Sequence, residues 1–212
     1  MQIAGFAAGP YQTNCYVVLN EGTGEAFVVD PGLGAAAQVR EILGAQGARL
    51  TAVVLTHGHI DHVRDAAELG VPVYIHEADE FMLDGGVPQA SGPLFNAASM
   101  ATPAEIHHLD DGIAVAFAGM ELQVRHAPGH SPGSVLLIGE ELVFSGDVLF
   151  RGSIGRTDLP YADPAEMHET LRGPVWELDD ALAVLPGHGS TSVVKHERAT
   201  NPFLREANVD RL

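Results

Sequence analysis

Three histidines and an aspartate crowd into the stretch LTHGHIDHV, residues 55–63: His57, His59, Asp61 and His62. Imidazole nitrogens and carboxylate oxygens are the donors that zinc, iron and manganese accept. The cluster directly follows the apolar run TAVVL, so it reads as a loop at the end of a strand, where the sheet holds the backbone in place. His57 and His59 are two apart, and in an extended loop their side chains point to the same side. Asp61 and His62 reach a second point if the chain turns into a helix near Val63. One segment can thereby feed two adjacent ions.

Two ions need more ligands, and three further donors occur in the same kind of place. His130 lies in APGHSPGS after MELQVRHA, Asp147 ends ELVFSGD, and His188 lies in LPGHGS after ALAVL. The set becomes five His and two Asp. It suits zinc, manganese or iron, and the Asp147 carboxylate is able to bridge. An isolated loop histidine is ordinarily just solvated, and His76, His107, His108, His126, His168 and His196 are read that way. The H-x-H-x-D-H cluster differs because donors at three later strand ends accompany it. Cys15, in the apolar run NCYVVL, reads as a buried strand residue rather than a nucleophile. No G-x-S-x-G elbow is present.

The elements that must position these donors follow from periodicity and turn residues. QIAGFAA, NCYVVL and EAFVVD read as strands separated by Gly, Pro and Asn turns. Residues 35–47, AAAQVREILGAQG, have apolar residues at helical spacing and end on Gly. TAVVLT is a short buried strand, VRDAAELG a helix, VPVYI a strand and EADEFML a short helix. Residues 84–104 are rich in Gly, Pro, Ser and Ala and are expected to form a long surface loop or a lid over the pocket, rather than a linker. GIAVAFA, MELQVRHA, SVLLIGE and ELVFSGD are strands joined by tight turns. ADPAEMHETLRG (162–173) starts with an Asp-Pro helix signal, ALAVLPG is a strand, and SVVKHERATNPF is expected to be one final helix. Each half has strands, then helices, and a strand ending in an acid, VVDPG in the first and VFSGD in the second. This symmetry predicts an α/β fold in four layers, an αββα sandwich.

Composition narrows the partners. The chain has 212 residues, 46% of them hydrophobic, and a formal net charge of -17 with only 11 Lys and Arg. That argues against nucleic acid and anionic membranes, which need clustered cations. No apolar stretch reaches the roughly 18 residues of a membrane span. The N-terminus lacks the basic and apolar regions of a signal peptide. A single cysteine forms no intrachain disulfide. These features predict a cytoplasmic protein with a small-molecule partner, and leave its oligomeric state open.

At its donor residues the sequence resembles the metallo-β-lactamase superfamily, whose T-H-x-H-x-D-H pattern stands here as Thr56-His57-Gly58-His59-Ile60-Asp61-His62, followed by His130, Asp147 and His188. Within it, GPYQTNCYVV, VVDPG, HAPGHSPGS, SGDVLFRGSIGRTDLP and PGHGSTS...ERATNPFL resemble the short, glyoxalase II-like hydroxyacylglutathione hydrolases, which lack a C-terminal helical substrate domain. The resemblance implies one metallo-β-lactamase-like domain over residues 1–212. It implies that His57, His59 and His130 hold one ion and that Asp61, His62 and His188 hold another, with Asp147 between them. It further implies two divalent metal ions, zinc foremost, with iron or manganese as alternatives. The implied reaction is hydrolysis of a thioester such as S-lactoylglutathione by a metal-bridging hydroxide, with Asp61 orienting the hydroxide or taking a proton. Arg156 falls near a lysine that longer relatives use for the thiol's carboxylate, which makes it a candidate substrate-binding residue, although pairing with Asp158 to stiffen the loop is the plainer expectation. The GRTD stretch also resembles persulfide dioxygenases, which hold a single iron by residues equivalent to His57, His130 and Asp147. Hydrolysis of a lactone or another ester is a further alternative.

Overall fold

Side-chain alternation along the strands distributes most of their buried apolar residues over three interfaces. In the computed structural model, which describes residues 1–85 and 87–211, the first sheet comprises β1 (Gln2–Ala8), β2 (Thr13–Asn20), β3 (Glu25–Val29), β4 (Arg49–Val54), β5 (Val73–Ile75) and β6 (Ile106–His108), in that order. The second comprises β7 (Ala114–Phe117), β8 (Met120–His126), β9 (Val135–Ile138), β10 (Leu142–Gly146), β11 (Ala183–Pro186) and β12 (Ser192–Val193), again in chain order. Each half of the chain therefore builds its own sheet. The β3–β4, β4–β5, β5–β6 and β10–β11 pairs are parallel and the others antiparallel.

Along β2 and β3, Tyr16, Val18, Phe27 and Val29 face Leu122, Val124, Val135, Leu137 and Phe144 of the second sheet. Their alternates Cys15, Val17, Ala26 and Val28 face Ala35, Val39 and Leu43 of helix α1 (Ala35–Gln46). On the second sheet's outer face, Leu136, Val143 and Val184 pack on Met167 and Leu171 of α3 (Pro164–Arg172), Val194 of α4 (Val194–Thr200) and Leu204 of α5 (Pro202–Ala207). Period two in the strands and period 3.6 in the helices thus produce helix, sheet, sheet, helix, the expected αββα sandwich. Cys15 is buried as expected, and burial pushes its thiol well up. Among the described residues no helix is long and apolar enough to cross a membrane.

Four local expectations change. The helix expected after the His cluster is only one turn, α2 (Ile60–Val63), followed by a 3-10 turn at Ala67–Leu69. Its next residues are drawn away by distant partners. Asp65 caps the start of α1 by accepting from the Gly34 and Ala36 N–H groups at 2.8 and 3.1 Å, a site where Gly34 offers no side chain. The EADEFML segment winds as a 3-10 helix, Glu77–Asp84, burying Asp79, Met82 and Leu83. The final helix breaks at Asn201, because proline disfavours helical geometry in the residue before it. Asn201 then caps α5 through its side chain.

The fourth is the 84–104 segment. Among its described residues Phe95 is fully buried, and short 3-10 turns form at Gln89–Ser91 and Ala97–Ser99. The buried Arg64 guanidinium donates to the Phe95 carbonyl at 3.0 Å and the Ser99 hydroxyl at 2.8 Å. The segment is a packed wall rather than a free surface loop.

Candidate metal centre

The seven donors meet at one edge of the sandwich, each delivered by the carboxyl end of a strand. His57 and His59 follow β4, with Asp61 and His62 in the α2 turn; His130 follows β8, Asp147 follows β10 and His188 follows β11. Parallel pairing of β10 with β11 sets Asp147 and His188 side by side, and packing of the two sheets sets both against the His57–His62 segment. All seven expected positions are brought together. Their donor atoms form three groups, each within 4.8 Å: His57, His59 and His130; His57, His62 and Asp147; and Asp61, His62 and His188.

The unshared nitrogens converge. His130 Nδ1 donates to the Arg156 carbonyl at 2.8 Å, His188 Nδ1 to the Tyr11 carbonyl at 3.1 Å and His62 Nδ1 to the Asp30 carboxylate at 2.9 Å. In the neutral ring that ligates metal, each such bond would select the tautomer whose Nε2 lone pair faces inward. His130 Nε2 then stands 2.8 Å from His59 Nδ1, and His62 Nε2 3.4 Å from His188 Nε2. Asp147 reaches both sides: Oδ1 lies 3.3 Å from His62 Nε2, while Oδ2 lies 3.4 Å from His130 Nε2 and 3.5 Å from His188 Nε2. Asp61 Oδ2 lies 3.2 Å from His188 Nε2.

This donor set fits divalent ions. His57 Nε2, His59 Nε2 and Asp147 Oδ1 are buried without a hydrogen-bond partner, a costly arrangement that a cation would relieve. Burial, together with the neighbouring rings, pushes His57 well below the usual imidazole range and His59 down to about 3, so both are neutral, the form that ligates metal. Burial alone would raise Asp61, yet His62 and His188 hold it below the usual carboxylate range.

Three supporting residues are not among the expected site residues. Asp30, in the VVDPG turn, accepts from the Thr56 N–H at 2.8 Å and hydroxyl at 2.6 Å as well as from His62. Its strand-end position was visible, but its φ of 51° and its role as the anchor of His62 were not. Thr13 donates to Asp61 Oδ2 at 2.9 Å. Asp79 bonds to the Gly58 and Gly133 backbone across 21 and 54 residues.

Over the donors lies a cleft of about 470 Å³, walled by Tyr11, Pro88, Phe150, Ile154 and Leu159, with Ser91 and Arg156 as further polar groups. The Tyr11 and Ser91 hydroxyls are 3.1 Å apart, so the 87–99 wall is tied to the β1–β2 turn at the cleft's rim. Arg156 borders the cleft, but its guanidinium makes a two-pronged bond to Asp158 at 2.8 and 2.9 Å. The stiffening pair is therefore present. Of the histidines expected to be merely solvated, His168 and His196 are exposed, and His107 and His108 sit on β6 beside Glu105 and Glu80. His76 and His126 differ: they are partly buried and stack at 4.1 Å with rings 2° from parallel.

The family model described as the Metallo-beta-lactamase superfamily matches residues 8–188. The chain belongs to this superfamily. It is 32% identical to hydroxyacylglutathione hydrolase GloC of Haemophilus influenzae, over 92% of this chain and 93% of that protein. Among solved structures, it is similar to BLEG-1 B3 metallo-beta-lactamase, with 33% identity, a TM-score of 0.85, and coverage of 96% of this chain and 99% of that one. It is also similar to TTHA1623, solved in a di-iron-bound form, with 36% identity, a TM-score of 0.78, and coverage of 94% and 99%. The superfamily match and the clustered His and Asp donors, which are able to hold metal ions, together support a metal-dependent hydrolase.

Proposed function

We propose that this superfamily member is a binuclear hydrolase of thioesters, for which S-lactoylglutathione is a representative substrate. The observation that carries the reading is the shared position of Asp147 between two complete donor groups, on the floor of an apolar-walled cleft. The similarity to GloC supports the choice of thioester. His57, His59 and His130 would hold one ion, and Asp61, His62 and His188 the other, with zinc the first candidate and iron or manganese the alternatives. Bound ions would supply a water acidic enough to ionise near neutral pH and would polarise the substrate carbonyl. Asp61, kept ionised and oriented by Thr13, is placed to orient that water and take its proton. A thiolate leaves readily, so no strong general acid is demanded of the chain. The apolar walls formed by Phe150, Ile154 and Leu159 exclude water from the acyl group. A carboxylate on the thiol would have to compete with Asp158 for Arg156. The Arg156–Asp158 pair is exposed and screened by solvent, so that competition is open.

The test is loss of thioester absorbance from S-lactoylglutathione with zinc-loaded protein, beside a His59→Ala control. Hydrolysis by wild type alone is expected. No hydrolysis with both metals bound would overturn the thioester reading. A chromogenic cephalosporin is offered in parallel, because the similarity to BLEG-1 makes a β-lactam the specific competitor. Turnover of the cephalosporin but not the thioester would replace thioester hydrolysis with lactam hydrolysis.

A further inference from the structure

Behind the first donor group lies a carboxylate that no ligand motif includes. Asp79 is fully buried in the 3-10 helix Glu77–Asp84. Its Oδ2 accepts from the Gly58 N–H at 2.8 Å and the Ser131 hydroxyl at 2.6 Å, and its Oδ1 accepts from the Gly133 N–H at 2.6 Å. Gly58 separates His57 from His59, and Ser131 directly follows His130. One side chain is thus bonded on one side to the loop that carries two donors of the first group, and on the other to the loop that carries the third.

The surroundings are shaped for this contact. A Cβ on Gly133 would stand 2.7 Å from Asp79 Cγ, and one on Gly58 would stand 2.8 Å from Met82 Cβ and 2.9 Å from the Asp79 carbonyl. Both loops need glycine there so that their backbones can approach. The turn that carries Asp79 is itself registered on the second loop. His76 accepts from the Ala78 N–H and stacks on His126, whose Nε2 donates to the Pro132 carbonyl at 2.7 Å. Hydrogen bonds to a buried carboxylate are short and strong, so their geometry is stiff. The second donor group is supported elsewhere: Thr13 holds Asp61, and the Tyr11 carbonyl holds His188.

We infer that Asp79 is a positioning residue, which sets the distance between the His57–His59 pair and His130 and thereby governs the affinity of the ion that these three hold. This inference rests on reading the seven residues as metal ligands. Because its hydrogen bonds go to no donor atom, Asp79 acts through the Gly58 and Gly133 backbone and the Ser131 hydroxyl. A carboxylate serving only as tertiary glue would stabilise the fold without favouring either ion; a positioning carboxylate acts on one ion and spares the other.

The experiment is a titration of metal-stripped protein with cobalt(II) against a chromophoric chelator. It is run for wild type, Asp79→Asn, Ser131→Ala and Thr13→Val, with absorption spectra separating the three-histidine site from the mixed Asp/His site. Removing an outer support typically costs 10–100-fold in metal affinity, so Asp79→Asn should weaken the three-histidine step by about that factor and leave the other within about threefold. Ser131→Ala, which removes one bond of three, should shift the same step by less. Thr13→Val should weaken the other step. Circular dichroism and unfolding of the stripped proteins check the fold, and if Asp79→Asn does not fold, Ser131→Ala carries the test. Equal weakening of both steps, or no weakening of either, would overturn the inference. Wild type that takes up no cobalt would overturn the ligand reading and the inference with it.

Discussion

At the scale of single residues, the centre depends as much on what is missing from a side chain as on what is present. Gly187 lies one residue before His188, and a Cβ there would run into the Asp147 carboxylate and would stand 2.5 Å from His62 Cε1. Its backbone has no room to retreat, since its N–H donates to the Gly146 carbonyl at 2.8 Å and its carbonyl accepts from Asn14 at 2.7 Å. The PGH signature therefore encodes a close approach of β11 to two ligands as well as a ligand of its own. Gly187→Ala should fold yet lose metal affinity by about 10–100-fold, as displacing an outer support does. Competition with a chelator measures this. Gly44→Ala is the control: it faces open space within α1 and should be neutral or stabilising, by up to about 1 kcal/mol. Unchanged metal affinity in Gly187→Ala would show that Asp147 does not need its observed place.

At the scale of elements, the 87–99 wall shows how a segment without regular structure becomes part of a site. Arg64 supplies its main anchor, with bonds to Phe95, Ser99 and Glu68. Arg64→Met keeps most of the buried stem and removes those bonds, leaving Asp65 without its cationic neighbour. A loss of about 2–3 kcal/mol is expected from the buried polar groups left unpaired. With Pro88 and Ser91 released, KM for the proposed thioester substrate should rise several-fold while kcat changes less, and proteolysis within 84–104 should quicken. A variant with unchanged KM would remove the wall from substrate binding. This wall was illegible in the sequence because its anchors Arg64 and Tyr11 lie 31 and 80 residues from their partners Phe95 and Ser91, while its own composition, rich in Gly, Ala and Ser, carries no periodicity. The strands and α1 were legible because alternation and helical spacing are local. The short β6 and β12 strands were not, having too few residues to show a period. The same division runs through the site: the ligands announce themselves by type and strand-end position, whereas Asp79, Thr13 and Asp30 work through partners 21 to 54 residues distant.

At the scale of the whole molecule, two of the agents that join the sheets respond differently to metal. One is the apolar interface around Phe27, Phe117, Leu137 and Phe144, which acts whether or not metal is bound. The other is the metal centre, to which the first half contributes His57, His59, Asp61 and His62 and the second half His130, Asp147 and His188. An ion bound across that seam binds only the folded state, and at a free concentration 1,000 times its Kd contributes about 4 kcal/mol. For a chain of this size each kcal/mol moves the unfolding midpoint by about 2–4 °C. Stripping the metals should therefore lower the midpoint by roughly 10 °C, and the shift should grow with free zinc, as calorimetry across a zinc series would show. The sharper expectation concerns His59→Ala. In the loaded protein it removes a ligand and should erase much of the metal-dependent shift. In the stripped protein it removes a side chain whose Nε2 is buried without a partner, so relief of that cost offsets part of the lost packing and little net change is expected. If His59→Ala cost the same with and without zinc, His59 would be acting as ordinary core and the seam would be held without help from the metal.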